Sequence, residues 1–196
     1  MTTTSPIGAA SEYSETTFER LCLPNADLSR SEFNDCVFRG CRFPDVDLSK
    51  ARFEHCVFET TDLSNAKVTE TRFVDCTFRG TKLLGINWTL AQQPIFMKAV
   101  ECNFEESNFQ GVNLCKLILT GCNFRNADFE QAKLKQAQFT GSSFQGARFN
   151  KTDLSQADLR DATDYAIDPR NNLLKRARFS TPEALSLLSA LGIILD

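Results

Sequence analysis

The sequence predicts an all-β solenoid, a tower of square coils with 20 residues per turn. Three observations predict it. A large apolar residue falls at every fifth position from Phe18 through Leu23, Leu28, Phe33 and Phe38 to Leu83 and Trp88, then from Phe104 to Leu159 one residue out of register. A small residue recurs two places before most of these sites, and the other three places are mostly polar. Like residues also recur at spacing 20: Phe18, Phe38, Phe58 and Phe78; Phe33, Phe53 and Phe73; Phe104, Phe124 and Phe144; Phe109, Phe129 and Phe149.

A period of five is neither the 3.6 of a helix nor the 2 of a strand. Self-similarity at a short period marks a stack in which each unit buries its apolar side chains only against its neighbours. Two inward and three outward residues make one side, and four sides close a coil. The spacing-20 columns then place like on like, with aromatic rings offset against one another. Leucine keeps columns of its own at Leu28 and Leu48, continued by Val68, and at Leu114, Leu134 and Leu154. Twenty-seven five-residue units make nearly seven coils, a tower about 32 Å tall at ~4.8 Å per coil.

The chain divides into a disordered leader at 1–14, the repeat at 15–162 with a register slip at 89–103, and a different segment at 163–196. Pro94 and Ala99 stand in the slip where large residues belong, and Pro94 removes a ladder donor. The slip reads as a one-residue bulge in preference to a projecting binding loop. After Leu159 a short helix is expected, capped by Thr181 with Pro182 at its first position or by a box of Ser180 and Glu183. Ala184, Leu187, Leu188 and Leu191 follow helical spacing and Gly192 ends it. Its apolar residues run wide of one stripe. They are read either as a cap on the last coil or as a two-fold dimer contact through Leu185, Leu188, Leu191, Ile193 and Leu195.

The bulk numbers exclude several functions. With 25 acidic and 22 basic residues and a net charge of −3, the chain lacks the concentrated positive surface of a generic nucleic-acid binder. It has no apolar run long enough to span a membrane and no signal-peptide pattern, so it is read as cytoplasmic. Of eight cysteines, Cys36, Cys41, Cys56, Cys76, Cys102 and Cys122 occupy the small inward position that alanine holds elsewhere. They are read as buried free thiols, although the columns of Cys36, Cys56 and Cys76 and of Cys102 and Cys122 are close enough in spacing to permit a disulfide. With no CxxC pair and His55 as the single histidine, no metal site is expected. No catalytic constellation is present and a convex tower has no cleft, so no enzyme activity, cofactor or small-molecule substrate is expected.

Ala26-Asp27-Leu28, Ala127-Asp128-Phe129, Thr152-Asp153-Leu154 and Ala157-Asp158-Leu159 resemble the repeat unit of the pentapeptide-repeat family. The resemblance covers 16–162 and implies a right-handed quadrilateral β-helix. Gly85-Ile86-Asn87-Trp88-Thr89, and Tyr165 to Pro169 with Lys175 to Ser180 leading into Pro182-Glu183-Ala184, look like the gyrase-protecting branch of that family. What this implies is a homodimer, joined through the C-terminal segment, that imitates duplex DNA and binds DNA gyrase, with topoisomerase IV as a further candidate, relieving poisoning by quinolones or peptide toxins. The outward acids that would supply the mimicry are Asp27, Glu32, Asp47, Glu59, Asp62, Glu105, Glu106, Asp128, Glu130, Asp153, Asp158 and Asp161. Bases including Lys50, Lys67, Arg79, Lys82, Lys133 and Arg148 interrupt them. The alternative is a repeat scaffold with a partner other than a topoisomerase.

Overall fold

The computed structural model describes residues 2–3 and 7–194. Large apolar side chains at every fifth position turn inward and the chain climbs as a square tower with a short C-terminal helix. It is a quadrilateral β-solenoid. Strands of two to four residues pair in parallel with the coil above and below, at a register of 20. One wall stacks Glu12–Ser14, Glu32–Asn34, Arg52–Glu54 and Arg72–Val74 (the first face). The next runs from Thr2–Thr3 and Thr17–Glu19 through Val37–Arg39, Val57–Glu59, Cys76–Arg79 and Met97–Val100 to Ile118–Thr120 (the second face). Isolated parallel bridges such as Asp62↔Lys82 and Asn123↔Ser143 build the third face, and Asp27↔Asp47 and Asp128↔Arg148 the fourth.

The inward side chains form one continuous core. In the lower half the rings stack on the first two faces, with Phe38 and Phe58 4.7 Å apart and within 4° of parallel. In the upper half they stack on the third and fourth, as in Phe109 and Phe129 at 5.1 Å. Trp88 joins the two systems: it tilts against Phe73 at 5.7 Å and stacks on Phe109 at 5.9 Å.

Outside the slip, the corners of the repeat are each made by one residue of left-handed backbone, such as His55 (φ 53°) or Lys116 (φ 65°). That conformation costs a side-chain-bearing residue roughly 1 kcal/mol, and the inter-coil ladder offsets it. At Gly85 (φ 69°) a Cβ would sit 2.2 Å from Asn65 Oδ1, so glycine is required there by contact as well as by φ.

Four sequence expectations change. Residues 7–14, expected in the disordered leader, belong to the first coil: Ile7 is buried, and Tyr13 stacks on Phe33 at 5.1 Å. The coil pattern also continues past 162. Leu173 bridges to Asp153, Arg178–Phe179 pairs with Asp158–Leu159, and Tyr165 takes the inward site one residue late. The first face therefore carries nine levels, from Tyr13 to Leu174, about 40 Å at ~4.8 Å each.

The slip is one extra residue. Phe78 pairs with Ala99 at spacing 21, and Ala99 with Leu119 at 20. Ile95, not Pro94, fills the inward site, which turns Phe96 outward. Ala99 keeps its inward place, small as it is.

The helix is Leu185–Ala190, shorter than expected, and its N-cap is Ala184 with no side-chain hydrogen bond. Ser180 Oγ instead donates to Asp161 Oδ1. Gly192 (φ 77°) does end the helix: its N–H donates to Ser189 and that of Ile193 to Leu188, a Schellman pair.

Candidate functional faces

The outward positions are all that the core leaves for function. Six of the twelve candidate acids are already used by the fold. Asp27, Asp47, Asp62, Asp128, Asp153 and Asp158 each accept the backbone N–H of the residue two places on, which pins the corner that follows. Ser29 holds the Asp27 carboxyl below the usual carboxylate range through such bonds, and the Arg160 guanidinium does the same for Asp158. Asn103, Asn108, Asn113 and Asn123 make the identical bond without a charge.

Bases one coil away neutralise much of the rest. Glu19, Arg39, Glu59 and Arg79 alternate up the second face at 2.9, 2.9 and 3.8 Å. Asp47 faces Lys67, Asp62 faces Lys82, Glu105 faces Arg125, and Arg148 reaches Asp128 and Glu130. Among the described residues Glu32, Glu106 and Asp161 neither close such a turn nor pair with a base within 4 Å, and they stand at different levels and on different sides of the tower. The twelve acids are spread over all four faces and do not converge on one.

On the corner between the first two faces, His55 lies between Asp35 and Asp75, with nitrogens 3.8 and 3.9 Å from their carboxylates. Cys56 beside it points into the core. Beside the slip, Asp75, Cys76, Thr77, Phe96, Met97, Lys98 and Leu117 line a hollow of about 280 Å³. A polar groove higher on the same corner is lined by Gln136, Gln138, Gln156, Asp158, Arg176 and Arg178. The inward cysteines are all free. They behave as more than small apolar groups, since Cys41, Cys56 and Cys76 direct Sγ to the carbonyls of Phe18, Phe33 and Phe53 at 3.3–3.4 Å. Thr61, Thr81 and Thr152 make the same bond from the same inward position.

At the top, Leu185, Leu191, Ile193 and Ile194 are exposed and Leu188 is half-buried; Leu195 lies outside the described residues. Leu173, which the sequence reading did not single out, adds to the exposed apolar surface of the last coil. Phe96 was missed too, because its exposure depends on where the extra residue is accommodated.

Among the described residues no three His, Cys, Asp or Glu side chains gather to hold a metal ion, and no helix is long and apolar enough to cross a membrane. The molecule is a quadrilateral β-solenoid of short parallel strands. Profiles of one family cover most of the rod: "Pentapeptide repeat region" matches residues 11–92, and "Pentapeptide repeats (8 copies)" matches 100–136 and 122–161. The chain belongs to the pentapeptide-repeat family. Among solved structures it is similar to HetL, a pentapeptide repeat protein involved in heterocyst differentiation regulation from Nostoc sp. strain PCC 7120. That match has 17% identity over 86% of this chain and 84% of HetL, with a TM-score of 0.59. It is also similar to QnrB1, a plasmid-mediated fluoroquinolone resistance protein, at 23% identity over 95% and 92% of the two chains, with a TM-score of 0.43. These likenesses concern the fold. No curated protein matches the chain in sequence.

Proposed function

We propose that this protein is a non-catalytic interaction rod that binds a protein partner along its outward faces. One observation carries the reading: the large residues of the repeat are spent on the core, and the outward chemistry is laid out in charged columns along a rigid ladder. Such a surface recognises by charge register and shape. A photocrosslinking residue placed at Glu32, Thr140, Gln145 or Asn150, one on each face, in the native host tests it. Discrete protein adducts from at least one face are expected, and no adduct from any face overturns the reading.

A second reading names DNA gyrase, with topoisomerase IV as a further candidate, as the partner, with the C-terminal segment making a homodimer. It is favoured by Gly85 to Thr89 and Tyr165 to Ala184, which resemble the gyrase-protecting branch. Duplex DNA carries one negative charge per ~1.7 Å of axis. With so many of its acids neutralised or used in turns, this rod would imitate a duplex by shape and by local patches more than by total charge. A supercoiling assay, with and without a quinolone or peptide poison, decides it. Altered supercoiling or restored activity supports the reading; no effect under any condition removes gyrase and leaves the crosslinking result standing.

A further inference from the structure

The first face and its corner with the second are polarised along the tower. The lower four levels carry Glu12, Glu15, Glu32, Asp35, Glu54 and Asp75 against Arg52 and Arg72. The levels above the slip carry Lys116, Lys133, Lys135, Lys175 and Arg176 against Asp153. None of those five bases has an acid within 4 Å among the described residues, unlike Arg39, Arg125 or Arg148 elsewhere. The fifth level, midway between, is the slip. There Leu90 and Phe96 are 49% and 48% exposed at the two edges of the face, and the hollow of about 280 Å³ opens beside Phe96.

An acidic half, an apolar middle and a basic half in that order are complementary to their own reverse. We propose that the first face is a self-association surface, on which a second copy of this chain lies antiparallel about a two-fold axis through the slip. The axis sends each level to the one equally far on the other side of the slip, and keeps each column facing itself. Along the corner column Asp75 then meets Lys116, and Asp35 meets Gln156. In the adjoining column Glu54 meets Lys135, Val74 meets Cys115 and Ser14 meets Lys175. Phe96 lies at the level of the axis, so the Phe96 rings of the two copies meet there, with the hollow beside each of them. On the far edge Glu32 would meet Asp153 and Arg52 would meet Lys133, so the repulsion falls on that edge and the attraction lies along the corner.

A face ~40 Å by ~13 Å buries on the order of 1,000 Å² over both copies, the low end for a specific interface. The contact is therefore transient, and with charges supplying its register it weakens as salt screens them. It is separate from a C-terminal contact, whose apolar side chains are insensitive to added salt in that direction.

Sedimentation of the full chain over a wide concentration range, at low and high salt, tests the proposal. Low salt is expected to double the mass of the species that high salt leaves. Lys116→Glu with Lys135→Glu cancels the net positive charge of the upper half and sets like charges against Asp75 and Glu54; Asp35→Lys with Asp75→Lys cancels the net negative charge of the lower half and sets a lysine against Lys116. The corner tolerates both changes, since Glu106 and Lys116 already occupy such positions. Each double variant should weaken self-association at least tenfold with its circular dichroism unchanged, and mixing the two should restore it. Phe96→Ser should weaken it without changing its salt dependence. Salt-independent association, indifference to the charge reversals, or a chain that stays monomeric on this face while its basic half binds heparin or duplex DNA, overturns the proposal.

Discussion

The aspartate that precedes an inward residue looks like a binding group in the sequence and proves to be a structural one. Asp128 Oδ1 accepts the Glu130 N–H at 2.9 Å, as Asn123 does for Arg125 at 3.0 Å. Asp128→Asn should therefore change stability by less than about 0.5 kcal/mol, whereas Asp128→Ala should cost about 1 kcal/mol for the lost bond; equal effects in a denaturation series would refute the role. The same reasoning sharpens the thiols. Six cysteines are buried, Cys22 is exposed and Cys115 half-exposed, so about two thiols should react rapidly with an aromatic disulfide reagent in the native state and all eight after denaturation. Fewer than eight on unfolding without reductant would reveal a disulfide. Burial pushes the Cys76 thiol up to about 12 and the Tyr165 hydroxyl likewise to about 12. Both groups keep their protons longer in the folded state than in the unfolded one, where they ionise near their ordinary values of 9.0 and 10.0. Stability is therefore retained below pH ~9 and should fall as pH rises from ~9 toward ~12. A melting temperature constant across that window would contradict the assignment.

Among the elements, the slip is where the chain departs most from its own rule. Spacing alone located it and sized it at one residue, because Trp88 and Phe104 are sixteen apart. What spacing did not reveal was which residue would move. Pro94 stood at the numbered site, yet it is exposed and Ile95 is buried, a choice that spacing does not encode. Trp88 shows a related cost. Its indole Nε1–H is buried with no hydrogen-bond partner among the described residues, a deficit of roughly 1–3 kcal/mol, while its rings join the two aromatic stacks. Trp88→Phe trades that relief against a small void, so we expect a net change within about 1 kcal/mol. Phe38→Ala, in the middle of an unbroken stack, should cost about 3–5 kcal/mol. Urea denaturation of the two variants side by side checks the contrast. A loss at Trp88→Phe as large as at Phe38→Ala would mean that the N–H is satisfied.

For the whole molecule, the interior was legible because each inward position repeats a chemical decision, and the surface was not, because charge pairing lies between residues 20 apart that no local pattern links. Glu19, Arg39, Glu59 and Arg79 form one ladder only once the register is known. The ends of the tower were misread for the opposite reason: Tyr13, Tyr165 and Leu174 continue the stack with weaker versions of the motif. The top still carries an unburied apolar surface. Leu185, Leu191, Ile193 and Ile194 are exposed on or just beyond a helix of six residues, too short to hold itself together. Leu187 packs against the core and anchors it. A second copy of the same end, related by a two-fold axis, would cover the remainder and extend the rod to twice its length. The expected mass in solution at high salt, where the lateral contact is screened, is about twice the chain's 22.0 kDa. Leu191→Asp with Ile194→Asp should return it to the single-chain value without unfolding the tower, because neither side chain is part of the core. A monomer at high salt before mutation, or a dimer that survives the double substitution, would show that these leucines and isoleucines do not join two subunits.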